Sequence, residues 1–261
     1  MNRIIGLVAV LSILALSQAV LAQTSVKTNA QTLAAVNVPS EPEGMVALFN
    51  GKDLTGWDGD PRLWTVKDGV IRGETTREVP AKGNTFLVCK AGDFGNFDLR
   101  FSFRCSAANN SGIQYRSKHL PAKEGDANRW VVGGYQGEIR NEMKPPNISG
   151  FIYEERGSRG RICPVGEKVV WKDKKEVVGS VGDAKAIAAC FKLNDWNDYT
   201  IIASGSNIKQ YMNGVQTVDF TDECPGKSLT NGISALQLHG GAPMWAEFKN
   251  IRIKAYDAKK Q

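Results

Sequence analysis

The stretch Phe97-Asp98-Leu99-Arg100-Phe101-Ser102-Phe103-Arg104 constrains the fold more than any other. Its apolar residues recur every second position, which suits a strand with one buried face and cannot be laid along one side of a helix. The same texture returns in Tyr199-Thr200-Ile201-Ile202-Ala203, Ile208-Lys209-Gln210-Tyr211-Met212 and Val215-Gln216-Thr217-Val218. Asn213-Gly214 separates the last two, and Asp68-Gly69 separates Leu63-Trp64-Thr65-Val66 from Val70-Ile71-Arg72. Both dipeptides suit tight hairpin turns, because they tolerate positive φ. Ala184 to Ala189 is at most a short turn of helix, and no longer segment carries a helical stripe. Many short strands without alternating helices predict a single all-β sandwich of two antiparallel sheets.

The chain has 261 residues, of which 42% are hydrophobic and 23% charged, enough to build a packed core. Lys+Arg 33 against Asp+Glu 27 leaves +6, but the charges are interleaved, as in Lys172-Asp173-Lys174-Lys175-Glu176. Such mixing reads as a solvated surface and argues against a nucleic-acid partner, which would draw basic residues into a stripe. Met1-Asn2-Arg3, the apolar run Ile4 to Leu16 and the small residues ending at Ala22 follow the order of a secretory signal. Residues 1–22 are therefore expected to be a leader, the protein exported to the periplasm or secreted, and residues 23–44 a flexible lead-in. A single domain is expected over 45–257, without a membrane span. Five cysteines, at 89, 105, 163, 190 and 224, permit zero to two disulfides, and none has a CxxC or zinc-ribbon spacing.

Three strands carry an unusual outward face. Ser111 to Arg116 places Gln114 and Arg116 together, Gly134 to Ile139 places Gln136 and Glu138 together, and Ala235 to His239 places Gln237 and His239 together. Other outward faces use Lys, Asp and Thr, whereas Gln, Arg, Glu and His form planar, directional hydrogen bonds suited to sugar hydroxyls. Glycines flank all three strands, which makes room for a ligand. Trp57, Trp130, Tyr153 and Trp245 are candidate aromatic platforms. Arg156, Arg159 and Arg161 cluster with Glu154 and Glu155, as a surface loop or as cations for a developing negative charge. His119, in a loop, is expected at the surface, and His239 at a pocket rim. A divalent cation held by Glu138, Gln136, Gln237 and His239 is a further option on donor type, although no metal-binding spacing marks those residues and none is assigned as a ligand.

Leu48-Phe49-Asn50-Gly51-Lys52-Asp53-Leu54-Thr55-Gly56-Trp57 opens an ordered series of motifs. It continues through Trp64 to Ile71, Asn110 to Arg116, Gly134 to Ile139 and Trp196-Asn197-Asp198-Tyr199, and ends with Leu236 to Gly240 and Phe248 to Ile253. Over roughly residues 45–254 the chain resembles the 3-keto-disaccharide hydrolase domain family. The resemblance implies a concanavalin A-like jelly roll and action on sugars oxidised at carbon 3, by hydrolysis or by elimination and hydration. It implies a carbohydrate partner. From the polar residues above, His239 and Glu138 are the expected acid/base pair for that chemistry, in either order. Gln114, Arg116, Gln136, Tyr153, Arg156, Arg159 and Gln237 are the expected substrate-binding residues. Because the fold also hosts lectins, a carbohydrate-binding module without turnover is the alternative.

Overall fold

The structure is a computed structural model that describes residues 34–106, 110–122, 126 and 128–257. The expected leader and residues 23–33 of the lead-in lie outside the described residues.

The first strands are β1 (Val46–Ala47), β2 (Trp57–Asp58), β3 (Trp64–Lys67), β4 (Val70–Glu74) and β5 (Thr85–Cys89). Then come β6 (Asn96–Cys105), β7 (Ser111–His119), β8 (Val132–Ile139), β9 (Ile152–Glu155) and β10 (Arg161–Cys163). β11 (Glu167–Trp171) and β12 (Lys175–Ser180) precede the helix α1 (Ala184–Ala188), which Asp183 caps through its carboxylate. The chain ends with β13 (Asn197–Ser204), β14 (Asn207–Met212), β15 (Val215–Asp222), β16 (Ile233–Leu238) and β17 (Trp245–Tyr256).

Two turns follow directly from residue type. Asp68 and Gly69 have φ of 53° and 74° between β3 and β4, and Asn213 and Gly214 have 49° and 84° between β14 and β15. Paired positive φ values match the twist of the flanking strands and close each hairpin in two residues.

The strands form a sandwich. One sheet runs β12-β11-β15-β14-β13-β6-β17-β4-β3, with β1 also paired to β17, and the other runs β10-β9-β8-β7-β16-β5-β2. Phe97, Leu99, Phe101 and Phe103 of β6 face Ile113, Tyr115, Tyr135, Leu236 and Leu238 in one buried core. The jelly-roll expectation holds, with one amendment. β11 lies parallel to β15, because the chain crosses from β10 in the smaller sheet and arrives running in the direction of β15.

The lead-in differs from expectation over residues 34–44. Asn37 and Val38 donate backbone hydrogen bonds to Gly214 O (2.8 and 2.9 Å), and Arg252 Nε donates to Glu41 (2.7 Å). Arg100, held by Asp98, donates to the carbonyls of Pro39 and Ser40. This segment covers β6 at Arg100, which explains why Asp98 and Arg100 are buried despite facing away from the core, while Ser102 on the same face donates to Asp198. All five cysteines carry free thiols.

Candidate functional site

Alternation along four adjacent strands of the smaller sheet decides the site. Tyr115, Tyr135, Gly137, Ile139, Leu236 and Leu238 turn inward; a Cβ on Gly137 would meet the Tyr199 hydroxyl of the opposite sheet at 2.9 Å. Gln114 of β7, Gln136 and Glu138 of β8, Tyr153 and Glu155 of β9 and Gln237 of β16 therefore share the opposite face. An outer polar face is ordinarily wet. Here Gln136 is 2% exposed, Glu138 3% and Gln237 0%.

These buried amides satisfy one another in a continuous relay. Ser117 Oγ donates to Gln114 Oε1 (2.9 Å), and Gln114 Nε2 donates to Gln136 Oε1 (2.6 Å). Gln136 Nε2 donates to Glu138 Oε2 (2.9 Å) and to Gln237 Oε1 (3.3 Å). Gln237 Nε2 and Asn84 Nδ2 donate to the two oxygens of Glu155, each at 3.2 Å. Gly112 makes the crossing between Gln136 and Gln237 possible, since a Cβ there would lie 2.4 Å from Gln136 Cδ.

Above the relay lies a hollow of about 540 Å³, within the size range of small-molecule sites. Gln136, Glu138, Tyr153, Glu155, Gln237 and His239 line it, joined by Asn84, Asn110, Arg140, Phe151 and Arg161. The register pairs Gly112 with Glu138 and Ile113 with Leu236. β7 thus separates Glu138 from the end of β16, where His239 follows. Two strand spacings place their backbones about 10 Å apart, room for one sugar ring between the side chains.

Burial raises the Glu138 carboxyl to about 7, while Arg140 and the Gln136 amide act in the opposite direction. Arg140 Nε lies 2.8 Å from Glu138 Oε1 as an ion pair without hydrogen-bond alignment, while Oε2 accepts from Gln136 Nε2. His239 Nδ1 lies 2.6 Å from Gly240 O. A carbonyl only accepts, so Nδ1 bears a proton and Nε2 is the ring atom left to exchange one with a ligand. This arrangement can take a proton at one side of a bound ring and deliver one at the other.

The remaining sequence-predicted residues fall elsewhere. Alternation fails at Arg116, where φ is 48° and the β7–β8 register shifts between Tyr115 and Lys118. Its guanidinium is buried away from the hollow and donates to Gly95 O and Leu229 O. Gln114 lies beneath Gln136 and reaches the site only through the relay. Arg159 points inward, 2.7 Å from Glu154 and 2.9 Å from Asp222, and fastens the β9–β10 hairpin. Arg156 sits outside the lining, 3.7 Å from Glu155. His119 is exposed, with Nε2 2.8 Å from Arg129 O.

Of the candidate platforms, Tyr153 lines the hollow and is 37% exposed. Trp57 and Trp130 are buried, and the Trp245 ring is flanked by the guanidinium groups of Arg72 and Arg104. Arg140 and Glu155 were open to discovery by extending the same alternation two residues beyond Glu138 and Tyr153. Phe151 follows from the same alternation two residues before Tyr153, whereas Asn84 comes from a loop and gave no periodic signal. Among the described residues no three His, Cys, Asp or Glu side chains converge on a metal-sized position. The two carboxylates of the hollow are already committed to amides and Arg140, so the donor set does not fit a divalent cation.

A family profile, described as the 3-keto-alpha-glucoside-1,2-lyase-like domain, matches residues 44–254. The chain belongs to this family. Among lyase-like domain relatives, a Bacteroides thetaiotaomicron protein named 3-keto-disaccharide hydrolase is 29% identical over 248 residues, covering 85% of this chain and 82% of that one. Two solved Parabacteroides distasonis structures, provisionally named glycosyl hydrolases, share the fold. The first has a TM-score of 0.52 at 19% identity, covering 81% of this chain and 99% of that one. The second has a TM-score of 0.51 at 22% identity, covering 85% and 99%.

Proposed function

We propose that this lyase-like domain is an exported enzyme that cleaves 3-keto-glycosides by elimination followed by hydration. The observation that carries the reading is that a carboxyl and an imidazole, Glu138 and His239, line one hollow. The name of the Bacteroides thetaiotaomicron relative supports the substrate class. The order of residues in Met1 to Ala22 supports export.

A ketone at carbon 3 acidifies the hydrogen on carbon 2, so a carboxylate suffices as base. Glu138 suits that role. The Gln136 amide on one oxygen and the Arg140 cation beside the other favour the ionised form, and its burial makes it a stronger base than a carboxylate in water. The C2–H electron pair forms an enolate with the ketone, and Arg140 and Arg161 add positive potential to the hollow that receives it. The enolate then reforms the ketone and expels the glycosidic oxygen from carbon 1. His239 Nε2–H supplies the proton to that oxygen at the rim. Water adds to the resulting 1,2-unsaturated ketone with the two roles reversed, which restores both groups.

Incubation with a 3-keto-disaccharide and with its unoxidised parent tests the reading. Reducing sugar is expected from the keto form alone, with deuterium at carbon 2 when turnover runs in heavy water. His239→Ala and Glu138→Gln are each expected to lower kcat/KM by about 10² to 10⁴. Binding without product, insensitive to both substitutions, would instead establish a carbohydrate-binding module.

A further inference from the structure

We propose that Glu155 is a positioning residue that acts on Glu138 through the side chains of Gln237 and Gln136. The inference rests on the reading of Glu138 as the base. It follows from the sense in which the amides of the relay point.

A carboxamide has one donor end and one acceptor end, whereas an ionised carboxylate only accepts. Glu138 therefore draws Gln136 Nε2 toward itself, and that nitrogen also meets Gln237 Oε1. Turning Gln136 over would set its Oε1 against both Glu138 Oε2 and Gln237 Oε1. Gln237 would have to turn in response, setting its own Oε1 against Glu155 Oε2, which Gln237 Nε2 now approaches at 3.2 Å. An ionised Glu155 forbids that last contact. Its other oxygen is occupied by Asn84 Nδ2, and Asn84 Oδ1 is itself held by the backbone N–H of Gly240 (3.1 Å).

The opposite end of the relay has no such lock. Ser117 Oγ faces Tyr115 O at 3.1 Å and Tyr135 O at 3.4 Å besides Gln114 Oε1, so its hydroxyl can turn to either carbonyl and accept from a reversed Gln114. Glu155 is thus what keeps the relay donating into Glu138 while substrate is bound. Arg140 and Arg161 are the charged groups that bear on Glu138, Cys105 and Tyr199 are neighbouring groups that burial and Glu138 keep protonated, His239 shares the hollow, and Arg156 stands beside Glu155.

The relay and simple charge repulsion predict opposite signs, which makes the test decisive. Neutralising Glu155 by charge alone removes a nearby anion and lets Glu138 ionise at lower pH. Glu155→Gln on the relay account permits reversal, favours protonated Glu138 and moves its ionisation to higher pH. The experiment is carboxyl-carbon NMR titration of Glu138 in protein labelled at glutamate, assigned against Glu138→Gln, together with the pH profile of kcat/KM. Both midpoints are expected to move upward in Glu155→Gln, with kcat/KM falling about three- to tenfold near pH 6 and less near pH 8. Gln237→Met cuts the same link while leaving Glu155 charged, and is expected to act in the same direction. A downward movement, or none in either variant, overturns the proposal. The titration needs no substrate, so it judges the relay even if the keto-disaccharide proves inert, and turnover without a shift leaves the enzymatic reading standing.

Discussion

Gly112 leaves open the space that the carboxamide of Gln136 fills, and through that opening Gln136 Nε2 reaches Gln237 Oε1, 3.3 Å away. A glycine in the middle of a strand weakens packing unless something else uses its space. Here the occupant is the amide that donates to Glu138.

Gly112→Ala is therefore expected to impair catalysis beyond its effect on folding. Its Cβ would force Gln136 out of the relay, at a stability cost of about 1 to 3 kcal/mol. A fall in kcat/KM of at least about tenfold is expected at temperatures where circular dichroism shows the variant fully folded. An unchanged kcat/KM would separate the relay from catalysis.

Glu138 imposes a pH dependence on stability. Its folded carboxyl ionises at about 7 instead of the ordinary 4.5, so the folded state binds the proton more tightly than the unfolded chain. Protonation then favours folding: the contribution is complete below about pH 4.5 and is lost as the pH rises through 7, a swing of about 3 kcal/mol. Between pH 5 and pH 8 the wild-type Tm should fall further than that of Glu138→Gln, by roughly 2 to 4 °C per kcal/mol. Parallel Tm profiles for the two proteins would contradict the perturbed carboxyl.

Arg159 and Arg156 are expected to part company under mutation. Arg159→Met leaves Glu154 and Asp222 buried without their cation, which should cost about 3 to 5 kcal/mol in urea unfolding. Arg156→Ala, at an exposed position, should change stability by less than about 0.5 kcal/mol.

Tyr153 and Trp130 give a similar contrast for substrate affinity. Tyr153→Ala is expected to raise KM about five- to tenfold with little change in Tm, because an exposed ring at the hollow is lost. Trp130→Ala should instead lower Tm through cavity formation and leave KM near the wild-type value.

Periodicity made most of this architecture legible before any coordinates. The alternating Phe97 to Arg104 strand and the Asp68-Gly69 and Asn213-Gly214 turns are local signals, and each is present where alternation put it. The parallel pairing of β11 with β15 carries no local signal, because it depends on where a crossover lands. The same division runs through the site. Gln136 with Glu138, and Gln237 with His239, share faces because side chains alternate. Arg116 escapes the rule at a bulge, where a positive φ turns its guanidinium toward backbone carbonyls. Charge alone could not distinguish Arg159 from Arg161 two residues later, although one faces the interior and the other the hollow. Asn84 belongs to a loop whose path follows from the fold as a whole.

The hairpin formed by β9 and β10 separates two jobs between its two faces. Glu154 and Arg159 anchor it from within, while Tyr153, Glu155 and Arg161 line the hollow on the other side. A lineage can therefore exchange Tyr153 and Arg161, and with them the lining of the hollow, without loosening the anchor. Relatives that prefer different glycosides should differ most at these positions and keep the inward ion pairs.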